Sequence, residues 1–328
     1  MPSKVIAEPI ALDDRAAARL LPPRPARSHK GSFGKLLVIA GSVDYAGAAL
    51  LVCTAAGRAG AGLVTLAIPE SLQPLFAAKV VEATTLSLPE DDVEEVDPED
   101  ALARILDHDH DALVVGPGLR PSLSITELIR GLLSPDDDGE PAPTVLDAEA
   151  LRSLATVDGW ANDVGARCVL TPHVGEFLRL RAADGHSKDK LGDLVFDDAK
   201  RLAAARDAAR DWGQVVVLKG ARSVIAAPDG RTAVAPFENP ALASGGTGDV
   251  LSGTIGALLA QGLGTFEAAQ LGVYLHGLAG EAVRARIGDA GLLASDLTAE
   301  LPIARKRLAD LAASSGTASA EGDSTRAR

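Results

Sequence analysis

Two cysteines, Cys53 and Cys168, are the only thiols in this 328-residue chain, and neither lies in a Cys-x-x-Cys pair or beside clustered histidines. That excludes a disulfide scaffold and argues against a structural zinc site. Both fit as small core residues of a protein in the reducing cytoplasm. Aromatic residues are as scarce, 3% against 47% hydrophobic residues overall. The core must therefore be aliphatic, a composition that suits buried parallel strands under Ala-rich helices. No stretch reaches 18 uninterrupted apolar residues, so no transmembrane helix is expected. The first twenty residues carry Glu8, Asp13 and Asp14 and no continuous apolar run, so no signal peptide is expected. Positive charge is in deficit, with a formal net charge of -13. An acidic surface makes nucleic acid and anionic lipid poor partners. Any phosphate ligand then needs a local site made of backbone N–H groups and a few placed Lys or Arg side chains.

What the chain does contain is an alternation of short apolar runs and Ala-rich amphipathic stretches. Residues 1–28 read as a lead-in, ended by Pro22-Pro23-Arg24-Pro25, with the ordered fold starting at His29. Strands are predicted over 36–40, 63–68, 112–115, 144–146, 167–170 and 215–218, and helices over 46–60, 122–133, 193–212, 247–261 and 265–287. Strand–helix–strand at this spacing is a βαβ unit and implies a parallel sheet. Residues 224–227 and 232–235, joined by Pro228-Asp229-Gly230, read as an antiparallel hairpin. Asp136-Asp137-Asp138-Gly139-Glu140-Pro141 reads as a solvated loop, and the Ala/Ser/Gly/Thr-rich tail over 312–328 as disordered. No linker or repeat interrupts residues 29–305, so one doubly wound α/β domain is expected.

Polar or Gly-rich segments follow strand after strand: Gly41-Ser42, Gly116-Pro117-Gly118, Asp147, Thr171-Pro172-His173 and Lys219-Gly220. In an open parallel sheet ligands bind beyond the carboxyl ends of the strands, so these segments converge on one edge. Ser244-Gly245-Gly246-Thr247-Gly248-Asp249 is the densest signal: three glycines in four positions, just before an apolar helix. Glycines let backbone amides approach a ligand, and the helix N-terminus adds a positive dipole end, which together form an anion hole for phosphate. Asp249 at the helix start reads by default as a cap, and beside a phosphate it reads as a base that takes a proton from an attacking hydroxyl. The stretch is neither G-x-G-x-x-G nor G-x-x-x-x-G-K-[ST], so both the dinucleotide and P-loop fingerprints are missing.

Lys219 can reach a phosphate from its strand end, or belong to an ordinary loop. His173 can contact a substrate, and Glu176 can hold a magnesium water or simply favour a helix's first turn. Asp107-His108-Asp109-His110-Asp111 has metal-ligand composition but precedes a strand at its amino end, the wrong edge for a site. His276, among Ala, Leu and Gly, reads as a packed histidine, and His186, near Lys188 and Lys190, as solvated.

Taken in order, these segments resemble the ribokinase-like superfamily, and more closely the ADP-dependent NAD(P)H-hydrate dehydratase family, its carbohydrate-kinase-like branch. The resemblance covers residues 29–304. It rests on His29-Lys30-Gly31 with Gly34, Gly41-Ser42 with Tyr45-Ala46-Gly47-Ala48, and Arg58-Ala59-Gly60-Ala61-Gly62-Leu63-Val64. It rests further on Gly116-Pro117-Gly118-Leu119, Leu146-Asp147-Ala148, Thr171-Pro172-His173 with Glu176, Lys219-Gly220, and residues 244–253. His at 173, where sugar and vitamin-precursor kinases more often carry Asn, looks like the dehydratase branch.

The resemblance implies a ribokinase-like fold and a repair lyase. The S epimer of hydrated NADH or NADPH is dehydrated with ADP, or ATP, as co-substrate, releasing AMP and phosphate when ADP is used. It implies magnesium as cofactor, with Glu176 reaching it through water. It assigns Asp249, with Gly246 and Gly248, to catalysis, and Ala48, Gly118, His173 and Asp249 to the hydrate. Lys219, Gly220, Ala221, Arg222, Ser223 and Gly248 go to the nucleotide. The family segment often reads Lys-Gly-x-x-Thr; Ser223 keeps the hydroxyl, and Arg222 either contacts phosphate or faces solvent. The resemblance also implies a separate hydrate epimerase as functional partner and is compatible with a homo-oligomer. Two other readings remain: a ribokinase-like kinase of a sugar or hydroxymethyl-pyrimidine, and a non-catalytic nucleotide-binding protein. An NAD-dependent oxidoreductase would need the missing fingerprint.

Overall fold

The computed structural model describes residues 8–134, 141–165, 167–186 and 190–324, with side chains described through residue 314. Its strands are β1 (Ile10–Ala11), β2 (Lys35–Ile39), β3 (Leu63–Pro69), β4 (Thr84–Leu88), β5 (Glu90–Asp92), β6 (Glu95–Val96), β7 (Ala112–Val115), β8 (Thr144–Leu146), β9 (Cys168–Leu170), β10 (Val215–Leu218), β11 (Val224–Ala226) and β12 (Thr232–Val234). Ten of them form one sheet in the order β1-β12-β11-β10-β9-β8-β7-β2-β3-β4, and β5 and β6 form a separate ribbon. Strands β10, β9, β8, β7, β2, β3 and β4 run parallel, and β11 is antiparallel to both β10 and β12. The sequence reading of a mostly parallel, doubly wound sheet with an antiparallel hairpin near 224–235 therefore holds. The central strands β7, β8, β9 and β10 are buried along their whole length, which explains their Val/Leu runs without polar alternation.

Helices cover both faces. Helices α1 (Asp14–Arg19), α2 (Ala46–Ala59), α3 (Gln73–Ala77), α10 (Thr247–Ala260), α11 (Thr265–Ile287) and α12 (Ala294–Ser324) pack on one side around Val52, Phe76, Val250, Leu258 and Leu301. Helices α4 (Pro98–Leu106), α5 (Leu123–Leu133), α6 (Glu149–Leu154), α7 (Val174–Ala183), α8 (Leu191–Phe196) and α9 (Asp198–Trp212) pack on the other around Ile105, Leu128, Phe177 and Leu194. Each buried Leu or Phe contributes about 1.5–3 kcal/mol. Both tryptophans lie in this second layer, with the Trp160 and Trp212 ring centroids 5.1 Å apart. Helices α2 and α10 cross closely because residue 253 is glycine: a Cβ there would fall 2.3 Å from the Val52 carbonyl oxygen. Any side chain at 253 would push apart the two helices whose first turns carry Ala48 and Asp249.

Several elements differ from the sequence reading. Residues 10–19 of the lead-in join the fold, β1 as an edge strand parallel to β12 and α1 through a Tyr274 hydroxyl bond to Asp14 Oδ1 (2.8 Å). The signal there is a two-residue strand, too short for periodicity to reveal. β4 was not foreseen because Thr and Ser alternate with Leu86 and Leu88 on a half-exposed strand. The expected helix over 193–212 is two, since Asp197 caps a fresh start by accepting from the amides of Ala199 (3.1 Å) and Lys200 (3.0 Å). Helix α12 runs to Ser324, through part of the tail read as disordered; residues 325–328 lie outside the described residues. The acidic loop over 136–140 also lies outside them, as does Lys188 beside His186. Among the described residues no helix is long and apolar enough to cross a membrane.

Candidate active site

The carboxyl ends of β7, β8, β9 and β10 bring Gly116, Asp147, His173 and Lys219 to one edge. Gly116 is required where it stands, for a Cβ there would fall 2.0 Å from the Asp147 carbonyl oxygen. The next residue, Ala148, has the positive φ of 49°, an uncommon conformation for a side chain with a Cβ. The turn sends the Asp147 carboxylate inward, where it is 2% exposed. Lys219 Nζ donates to its Oδ1 at 2.7 Å, and Ser252 Oγ to its Oδ2 at 2.7 Å. Burial alone would lower the Lys219 pKa; Asp147, with Glu176 and Asp249 beyond it, outweighs burial and raises it.

The glycine loop meets this pair. Thr247 Oγ1 donates to the carbonyls of Leu242 (2.8 Å) and Ser244 (3.0 Å), and Ser244 Oγ donates to Ala241 (2.9 Å). The loop is thus braced by its own hydroxyls. Gly246, with φ of 86°, is the residue before α10 and makes no side-chain cap. Asp249 lies within the first turn, at the third helical position and not at the N-cap, so the capping reading of its carboxylate fails. Gly248 stands between the two segments: a Cβ on it would lie 3.4 Å from Lys219 Nζ and 3.7 Å from Asp147 Oδ2. Burial first, and the Asp147 charge second, push the Asp249 carboxyl up to about 7, against the pull of Lys219. A carboxylate poised there can exchange a proton near neutral pH.

Beside this cluster opens a cavity of ≈ 550 Å³, walled by Lys219, Gly220, Ala221, Ser223, Thr247 and Gly248 at one end. Phe237, Pro240, Leu242 and Val273 line its apolar part, with His276 between. An apolar slot with a polar, amide-rich end suits a base joined to phosphates. His276 is pushed down to about 4 by burial, with its Nε2 bonded to the Thr247 carbonyl at 2.9 Å. It is therefore neutral, and it ties α11 to the first turn of α10. The Arg222 guanidinium is not in the cavity wall; it pairs with Asp198 (2.8 Å) at the surface.

Ala48 and Gly118 face each other on the other side, since a Cβ on Gly118 would lie 2.8 Å from that of Ala48. His173 caps α7: its Nδ1 accepts from the Gly175 amide (3.0 Å), and its own amide donates to Glu176 Oε2 (2.9 Å). The His173 segment bridges the Lys219 segment, whose amide donates to the Pro172 carbonyl (2.9 Å). Glu176 is 7% exposed and committed to this box, its other oxygen 3.3 Å from His173 Nε2. Among the described residues no group of three or more His, Cys, Asp or Glu can hold a metal ion. The run at residues 107–111 stands at the amino edge, where Lys35 pairs with Asp109. Missing from the sequence reading as a site residue was Asp147. Its signal was present, an aspartate ending a buried strand, but its partners Lys219 and Ser252 are remote in the chain.

A parallel sheet with a glycine loop feeding a helix N-terminus at its carboxyl edge, and a carboxylate in the first turn of that helix, gives the molecule a ribokinase-like fold. The fold is shared with a ribokinase-like superfamily protein from Enterococcus faecalis (TM-score 0.73, 24% identity, 92% of this chain and 96% of the other). More narrowly, the chain belongs to the NAD(P)H-hydrate dehydratase family, whose model matches residues 36–303. The ADP-dependent (S)-NAD(P)H-hydrate dehydratase of Bacillus subtilis is 35% identical over 88% of this chain and 94% of its own. A crystal structure of the ADP/ATP-dependent NAD(P)H-hydrate dehydratase of that organism, co-crystallised with ATP/Mg2+, superposes with a TM-score of 0.75 (32% identity, 92% of this chain and 98% of the other). The bifunctional NAD(P)H-hydrate repair enzyme of Moorella thermoacetica is 40% identical over 88% of this chain and 52% of its own. The chain thus spans about half the length of the bifunctional relatives it matches.

Proposed function

We propose that this protein restores NADH and NADPH by ADP-dependent dehydration of their S hydrates, releasing AMP and phosphate. The observation that carries the reading is Asp249: a carboxyl pushed up to about 7, in the first turn of α10, beside Gly248 and Lys219. A hydroxyl is a poor leaving group, and a phosphate ester a good one. The hydrate oxygen forms a bond to the terminal phosphorus of ADP while Asp249 takes its proton. The bond from that phosphorus to the bridging oxygen breaks, and AMP leaves with the bond's electron pair. The amides of residues 245–248 and Lys219 stabilise the transferring group. The ring nitrogen's lone pair then expels phosphate from carbon, and loss of a ring proton restores the double bond.

Ala48, Gly118 and His173 hold the hydrate, and residues 219–223 with Gly248 hold the nucleotide, Arg222 through its backbone. Magnesium fits as an ion carried mainly by phosphates and water, since no protein cage of three donors exists among the described residues. Glu176, both of whose oxygens are engaged by His173, would reach it only through an intervening water, and the ion would neutralise charge on the phosphates. We place the reaction in the cytoplasm, consistent with two buried free thiols, and expect a hydrate epimerase as partner.

The test supplies hydrated NADH with ADP and, in parallel, ATP, and follows the reduced-nicotinamide absorbance band. Recovery of the band with AMP release from ADP supports the reading. Phosphorylation of a sugar or hydroxymethyl-pyrimidine without recovery of the band would replace it with a kinase.

A further inference from the structure

Arg201 on α9 is 2% exposed, although it is a guanidinium on an otherwise Ala-rich helix. It lies directly under the loop at residues 219–223. One of its terminal nitrogens donates to the Ala221 carbonyl. The other lies against Gly220, where an added Cβ would fall 2.1 Å from it. Its Nε is buried and has no hydrogen-bond partner. Among the described residues it forms no ion pair. Asp198, one turn earlier, acts on it only at a distance and is itself bonded to Arg222. Arginine stays charged when buried, and a buried charge without a counterion is costly. The charge faces one side of a loop whose other side lines the 550 Å³ cavity.

We propose that Arg201 is a positioning residue for the nucleotide: it holds the backbone of residues 220 and 221 from beneath, and the phosphates of the bound nucleotide supply its missing counter-charge. The inference rests on the assignment of this cavity to the nucleotide. It extends that assignment to a residue outside the cavity wall, and it makes affinity depend on phosphate charge. A purely structural prop would hold the loop equally for charged and uncharged ligands.

Equilibrium binding of adenosine, AMP, ADP and ATP to four forms of the full chain tests this: wild type, Arg201→Met, Arg201→Lys and Asp198→Asn. Arg201→Met should weaken ADP about tenfold, ATP more and AMP less, with adenosine changed less than about twofold. Arg201→Lys should recover most of the ADP affinity. Asp198→Asn removes a surface charge that offsets Arg201, so it should tighten ADP about two- to threefold, again graded by phosphate number. Equal losses for adenosine and ADP in Arg201→Met would overturn the proposal, as would no loss at all. If that variant does not fold, as judged by thermal melting, Asp198→Asn decides alone, and absence of graded tightening overturns it. Failure of wild type to bind ADP, or binding unaffected by Lys219→Ala, would instead sink the nucleotide assignment beneath it.

Discussion

Residues 107–111 carry three aspartates and two histidines in succession, while the carboxyl edge of the sheet holds Asp147 and Asp249, far apart in the chain. By composition the first group looks like chemistry and the second does not. Position on the sheet reverses this. At the amino edge the Asp109 carboxyl is held below its usual range by hydrogen bonding to Lys35, and the carboxylate stands open to solvent. At the carboxyl edge burial and Asp147 push Asp249 up to about 7. Density of reactive residue types is a weak signal, because solvent neutralises it. Two carboxylates converging in a cleft are a strong one, since the charge of Asp147 helps to raise the pKa of Asp249.

Asp249→Asn would sharpen the contrast most. Turnover should fall about a thousandfold, with ADP binding nearly unchanged, as measured by hydrate recovery and by calorimetry. Full activity in this variant would break the assignment of the base. The same variant should be more stable than wild type at pH 8. A carboxyl whose folded pKa is raised from 3.8 to about 7 destabilises the native state once ionised, so stability falls as pH rises across that window. The gain from Asn should shrink toward pH 4, and melting curves at the two pH values check the sign.

Lys219→Ala comes next. It leaves Asp147 buried without its cation, and we expect a loss of about 3 kcal/mol in urea unfolding together with a rise of tenfold or more in KM for ADP. Smaller, but diagnostic, is Asp147→Asn. Removing the like charge should move the acidic limb of kcat/KM down by about one pH unit, as a pH–rate profile would register. An unmoved limb would mean that the two aspartates are not coupled. Smallest of all is Asp109→Ala at the amino edge, where activity should stay within about twofold and stability within about 0.5 kcal/mol. A large loss of activity there would undo the contrast.

Much of this arrangement was legible in the chain. The parallel strands were legible because burial on both faces makes each a continuous Val/Leu run. The glycine loop was legible because three glycines fall in four positions, and at 246 a positive φ and close approach to Leu51 demand glycine. The edge strand β1 escaped because two residues carry no period, and β4 because a half-exposed strand mixes Thr and Ser with Leu. Asp147 was visible as a strand-end residue without a role, and Arg201 and Ser252 were not visible at all. Their meaning depends on partners brought close only by the sheet: Lys219 for Asp147, the backbone of residues 220 and 221 for Arg201.

By itself the sequence determined the alternation of strands and helices, hence the sheet, and the order of strand-end segments, hence the family. Those follow from local physics, since hydrophobic period, glycine conformation and proline stops act within a few residues. Tertiary structure alone decided which carboxyl has its pKa raised, which lysine meets a buried carboxylate and which arginine lies beneath a loop with no ion pair among the described residues. Burial and charge proximity are properties of the packed chain. That is why Asp249, ambiguous in sequence between a cap and a base, is in the fold a half-buried acid beside Gly248 and Lys219.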